Sequence, residues 1–173
     1  MYKETTYLAG AMDMVPDAGS DWRRMLTPRL KKLGIVVQDP IVMTNELMGT
    51  SSSDEAKDEL ERLYRKNREK YFRVVAKIKR QDKAAVRRSE FIITYWGYYI
   101  PTYGTVVEND ISADRKIPIY CVCFGPENSL PSWFREDIHR SGGQKFDDFN
   151  GLIKFLIQRK NIIERCHKTV PTC

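Results

Sequence analysis

The chain has 173 residues, enough for one domain to bury its own core without disulfide or metal staples. A hydrophobic content of 42% with 11% aromatics excludes a disordered chain, and no run approaches the roughly 18 consecutive apolar residues of a membrane span. The net charge of +6 is local: between Glu55 and Glu90 stand 13 of the 29 basic and 7 of the 23 acidic residues, which leaves 16 of each elsewhere.

"TYLAG", Thr6 to Gly10, has the form of a buried strand feeding a loop. After "AMDMVPDAGS", the stretch "DWRRMLTPRLKKLG" spaces Trp22, Met25, Leu26, Leu30 and Leu33 as a helix, with Ser20 or Asp21 as its cap and Gly34 as its stop. Pro28 inside it implies a kink or a late start. "IVVQDP" is a second buried strand ending at Asp39-Pro40, and "IVMTNELMGTSSSD" has the composition of a loop. One long helix then follows Asp54 or a neighbouring serine. Its apolar stripe is Leu60, Tyr64, Tyr71, Val74 and Ile78, with Arg62, Arg65, Lys66, Arg73 and Lys77 off that stripe.

"EFIITYW" is the third strand and "YGTVVENDISADRK" a helix opening at Gly104 or Thr105. "IPIYCVCFG" gives a fourth strand, and "FDDFNGLIKFLIQRK" a last amphipathic helix capped by Asp147 or Asp148. Cys121 and Cys123 lie two apart on a strand and face the same way, as small buried hydrophobes. Neither their spacing nor that of Cys166, Cys173, His139 and His167 forms a metal motif, so no metal and no cofactor are expected. The opening "MYKETT" has no apolar signal core, and a cytoplasmic location without membrane attachment is the expectation.

Strands that alternate with helices and are apolar throughout specify a parallel sheet covered on both faces. The expected fold is a flavodoxin- or Rossmann-like three-layer α/β sandwich with a mostly parallel sheet of four to five strands. Residues 1–173 form its single domain, and 160–173 a C-terminal tail. In such sheets ligands sit beyond the carboxyl ends of the strands, which selects three stretches: Gly10 to Ser20, Asp39-Pro40, and Gly97 to Gly104 leading to Glu108. Glu108 falls about one turn into its helix, where the macrodipole favours a carboxylate that stays ionised.

Three stretches in this order, "YLAGAM…DWRRML", "QDKAAVRRSEFIITYW" and "TYGTVVE", resemble the nucleoside 2-deoxyribosyltransferases and the related 2-deoxynucleoside 5′-monophosphate N-hydrolases. The correspondence covers most of Tyr7 to Tyr120. By this resemblance Glu108 falls on the glutamate that attacks the anomeric carbon of the sugar. Asp82 falls on the aspartate that contacts the base and helps protonate the leaving group. Tyr7 is similar to the aromatic residue that reaches towards the nucleophile, and Gly10 to the loop that passes the sugar closely. Thr102 stands where transferases of the family often carry aspartate and some nucleotide hydrolases serine. Asn109-Asp110 and Ser89-Glu90 depart from the family's usual residues. The resemblance further implies a homo-oligomer, a dimer or larger, in which one subunit's loop completes another's site.

Breaking an N-glycosidic bond develops positive charge on the sugar and negative charge on the base, so one ionised carboxylate and one proton donor are the minimum set. Glu108 and Asp82 fit those roles. Alone, Glu108 would be a helix-opening surface acid, Asp82 a counter-charge among Lys79, Arg80 and Lys83, and Tyr7 a core aromatic. Asp13 is a candidate for a sugar hydroxyl and Arg23 for a polar group of the ligand. "WGYYIPTY", which includes Thr102 and Tyr103 and ends just before Gly104, reads as a base-stacking wall or a subunit contact. The expected activity is transfer or hydrolysis at the N-glycosidic bond of a (deoxy)nucleoside or its monophosphate, with a small-molecule substrate. The alternative is a non-catalytic nucleotide- or nucleic-acid-binding module. The basic segment reads first as a solvated face and second as a phosphate-contacting surface.

Overall fold

The computed structural model describes residues 3–12, 15–97, 103–124 and 129–169, with side chains to 163. Strand β1 (Thr5–Gly10) is followed by α1 (Ser20–Lys32), which is entered through hydrogen-bonded turns between Val15 and Ser20. The expected caps Ser20 and Asp21 are not used. Instead the Asp17 carboxylate accepts from the amides of Gly19 at 3.1 Å and Asp21 at 2.9 Å, one turn earlier. Ala18 and Gly19 both take left-handed backbone, and a Cβ on Gly19 would lie 2.3 Å from the carbonyl of Ala11, so only glycine fits there. Pro28 lies inside α1 without ending it, and Gly34 follows the helix at positive φ as expected.

β2 (Val36–Gln38) has three residues, and α2 (Pro40–Met48) occupies the stretch expected as a loop. The Asp39 side chain accepts from the amide of Ile41, Pro40 sits in the first turn, and Gly49 closes the helix at φ 70°. The single long helix is in fact two, α3 (Ser53–Lys66) and α4 (Arg68–Arg88), broken at Asn67. Asn67 leaves helical backbone and its side chain accepts from the amide of Lys70, so it ends one helix and caps the next.

β3 (Phe91–Tyr95), α5 (Tyr103–Asp114) and β4 (Ile119–Val122) follow as expected. Helix α6 (Ser132–Arg140) and strand β5 (Gln144–Phe146) add two elements that the hydrophobic pattern did not announce. Helix α7 (Phe149–Thr169) starts where Asp148 accepts from the amide of Gly151 at 2.7 Å, and it runs into the stretch read as a tail.

The five strands are all parallel, in the order β2-β1-β3-β4-β5, with helices on both faces. This is the doubly wound three-layer fold. Alternation along each strand divides the core in two. Leu8, Phe91, Ile93, Tyr120 and Val122 pack against α1 and α7. Tyr7, Ala9, Ile92, Ile119 and Cys121 pack against α4, α5 and α6, together with Cys123. Both cysteines are buried and free. The winding reverses between β1 and β3, which puts the switch point of the sheet, where such folds place their ligands, beyond the carboxyl ends of these two strands. Among the described residues no helix is long and apolar enough to cross a membrane.

Candidate active site

Because Tyr7 lies on the β1 face that meets α4 and α5, its side chain points between the two helices that carry Asp82 and Glu108. The Tyr7 hydroxyl donates to Oε1 of Glu108 at 2.7 Å. The tyrosine ring is fully buried, so this bond is shielded from water on the strand side.

α5 is itself fixed by a buried polar pair. Thr94 Oγ1 on β3 donates to Oδ1 of Asn109 at 2.7 Å, and the Asn109 amide donates to the carbonyl of Thr105 at 2.6 Å. Asn109 is thus an anchor between helix and sheet, next in sequence to Glu108. Asp110 points the other way, towards Arg140 on α6 at 3.8 Å.

Glu108 lies deep in the protein yet keeps an opening to solvent. Burial pushes its carboxyl from 4.5 up to about 7. The Tyr7 hydrogen bond opposes this, Asp82 adds to it, and Arg23 opposes it. The macrodipole expectation of a carboxylate that stays ionised therefore gives way. Glu108 is the sixth residue of α5, past the turn where the dipole acts, and desolvation dominates. Burial also raises Asp82 from 3.8 to about 6, with Tyr7 as a hydrogen-bonding neighbour and Arg23 both pulling down. Oδ1 of Asp82 is buried without a hydrogen-bond partner among the described residues. A buried acceptor of this kind is costly unless something binds it. Tyr7 is held well above its ordinary 10, by burial first and then by Glu108 and Asp82, so it remains a donor across the physiological range. Two carboxyls around one protonated phenol share their titration as a pair.

Arg23 is not placed where it would reach a ligand. Its side chain is 1% exposed and its guanidinium donates to the main-chain carbonyls of Gly19 (2.9 Å), Leu8 (3.2 Å) and Gly10 (3.1 Å), with Ala18 at 3.5 Å. Nε faces Oδ1 of Asp39 at 3.7 Å. Gly10 lies at the end of β1. A Cβ there would come within 3.0 Å of the Trp22 ring and 3.3 Å of the Tyr95 carbonyl, so its close approach is to the protein's own core. Trp22 is core as expected, stacked on Phe149 with centroids 5.8 Å apart.

Tyr103 is 84% exposed and nothing crowds a Cβ at Gly104, so the start of α5 faces solvent. Asp13 and Thr102, and the stretch 98–102 of the aromatic wall, lie outside the described residues. Asp39 and Asp17 lie in two of the stretches selected at this end of the sheet, but the sequence reading gave neither a role of its own. The Asp39-Pro40 pair, a helix-start signature behind a strand, was the available signal for the first. Among the described residues no cluster of histidine, cysteine, aspartate and glutamate is arranged to hold a metal ion.

Helix α4 reaches the site through Asp82, but the basic side chains of α3 and α4 pair along their own helices. On α3 and α4, Arg62 pairs with Glu59, Arg65 with Glu61 and Arg73 with Glu69, all within one helical turn and largely exposed. That arrangement is the solvated face.

No protein-family model and no curated protein sequence matches this chain. Solved structures do. A conserved protein from Enterococcus faecalis V583 superposes with a TM-score of 0.60 at 13% identity, covering 91% of this chain and 99% of the other. A CMP N-glycosidase, BcmB, from Clostridium botulinum aligns over 88% of this chain and 98% of its own, with a TM-score of 0.49 and 13% identity. The Enterococcus likeness runs through nearly the whole of both chains and establishes a shared fold.

Proposed function

We propose that this protein cleaves or exchanges the N-glycosidic bond of a (deoxy)nucleoside or its 5′-monophosphate, with Glu108 as nucleophile and Asp82 as the proton donor to the departing base. The observation that carries this reading is the meeting of Tyr7, Glu108 and Asp82, from three elements far apart in sequence, at the switch point of a doubly wound sheet.

The chemistry follows from the protonation of the pair. Between about 6 and about 7 one proton is shared by the two carboxyls. The higher value belongs to Glu108, so in the free protein the shared proton rests mainly there, and the reactive form is the minor one in which it has moved to Asp82 and left Glu108 an ionised oxygen nucleophile oriented by the Tyr7 hydroxyl. Its attack on the anomeric carbon forms a glycosyl ester as the C–N bond breaks, and Asp82 gives its proton to the base nitrogen. Asp82, now ionised, is the base that activates an incoming water, for hydrolysis, or a second base, for transfer. The buried Asp82 Oδ1 gains its hydrogen-bond partner in the bound base.

Incubation with each deoxynucleoside and each monophosphate, with and without a second free base, tests the reading by base release and new nucleoside formation. Absence of turnover with every member of the panel would reject it. Appearance of a new nucleoside identifies a transferase, and base release alone a hydrolase.

Assembly into a dimer or larger belongs to the same proposal. An apolar groove of about 650 Å³ between α5 and α6 is lined by Trp96, Val106, Trp133 and Phe134, and Trp133 is 89% exposed there. Sedimentation at micromolar concentration checks it, with a monomer as the contrary result.

A further inference from the structure

β1 and β2 pair in register from Thr5 with Val36 to Tyr7 with Gln38, and there β2 ends. β1 continues for three more residues, to Gly10. On that overhang the carbonyls of Leu8 and Gly10, two residues apart, point to the same edge of the strand, the side where β2 no longer runs. Both accept from Nη2 of Arg23. Nη1 of the same guanidinium accepts no strand role but ties the Gly19 carbonyl at the head of α1, and Nε faces Asp39 at the head of α2. The Trp22 ring covers it at 4.5 Å.

We propose that Arg23 is a positioning residue for the Tyr7–Glu108–Asp82 group: its guanidinium takes the place of the missing β2 rungs, fixes the exit of β1 on which Tyr7 is carried, and sets one buried positive charge behind the two carboxyls. A planar fork with five donors serves two strand carbonyls and a turn carbonyl at once, while Nε makes no hydrogen bond and has only the ion-pair contact to Asp39 at 3.7 Å. The charged and titratable groups around it are Tyr7 from β1, Asp17 from the turn before α1, Asp39 from the head of α2, Asp82 from α4 and Glu108 from α5. Arg23 pulls the Glu108 and Asp82 carboxyls down against burial. Its catalytic meaning rests on the function proposed above, whereas its electrostatic effect is measurable without turnover.

The experiment is a carbon-13 NMR titration of the glutamate and aspartate side-chain carboxyls in the wild type, Arg23→Gln and Arg23→Lys, with circular dichroism to confirm folding. Arg23→Gln removes the charge and keeps an amide donor for the strand edge. It is expected to raise the Glu108 midpoint by about one pH unit. Arg23→Lys keeps the charge, and its midpoint stays within about half a unit of wild type while thermal stability falls, as expected when a fork is replaced by a point charge. An unmoved midpoint in Arg23→Gln, or an equal rise in both variants, overturns the proposal. Should Arg23→Gln fail to fold, Arg23→Lys decides alone, because a rise of a full unit with the charge retained contradicts it. A wild type that releases no base from any substrate removes the proposed function and leaves this titration standing.

Discussion

Around Tyr7, charged side chains arrive from separate elements: Arg23 on α1, Asp39 ahead of α2, Asp82 on α4 and Glu108 on α5. On the α3–α4 hairpin the pairs come from the same helix, one turn apart, and face water. The two regions use the same residue types to opposite effect. Where charges converge from distant parts of the chain and lose solvent, burial moves two carboxyls towards neutrality. Where they sit a turn apart in water, solvent screens each pair and the side chains stay hydrated. Density of charge along the sequence and convergence of charge in the fold therefore mark two different places in this chain.

The sharpest way to break that contrast is Glu108→Gln. Base release is expected to fall more than about 100-fold while the fold is kept, measured as kcat/KM on the best substrate of the panel. A smaller effect would return Glu108 to the status of a buried structural acid. Asp82→Asn comes next, with a loss of about 100-fold for poor leaving bases and less for good ones, because a proton donor matters most where the leaving group is basic. Equal losses across a series of bases would assign Asp82 to positioning.

Acidity gives a third measurement. Activity should trace a bell with limbs near 6 and near 7, falling in acid as both carboxyls are protonated and in alkali as both ionise. A profile rising steadily to pH 9 contradicts the shared proton. The same raised Glu108 affects stability. Its folded value lies above the ordinary 4.5, so folding holds the proton that the unfolded chain releases. No penalty exists below about 4.5; one grows as pH rises and is complete above about 7. Glu108→Gln should accordingly be more stable than wild type at pH 8, by about 1–3 kcal/mol in urea unfolding, and gain nothing at pH 4. The smallest effect belongs to the other region. Arg65→Ala on α3 should alter unfolding free energy by less than about 0.5 kcal/mol and leave base release unchanged.

The sheet was legible because apolar runs bounded by Gly and Pro mark buried parallel strands, and Tyr7, Asp82 and Glu108, singled out in the sequence, are neighbours in the fold. Three other features did not show. α2 is nine residues long with apolar side chains on several sides, so no stripe betrayed it. Asn67 interrupts a run of good helix formers, and its side chain cap is a local event that periodicity does not register. β5 has three residues, two of them polar, and its strand character comes from pairing with β4. Arg23 was misplaced for a different reason. A sequence shows that an arginine stands beside a loop and not that β2 is three residues too short to satisfy the last carbonyls of β1.

The Asn109 anchor has one more consequence. Apolar packing holds a helix against a sheet but tolerates rolling about its axis, since such contacts have no preferred direction, whereas an amide between a threonine hydroxyl and a carbonyl does. A roll of about 20° would sweep a side chain at the rim of α5 through about 2 Å. That is enough to part Glu108 from the Tyr7 hydroxyl. The aim of the Glu108 carboxyl is thus keyed by the residue that follows it in the chain, facing the other way.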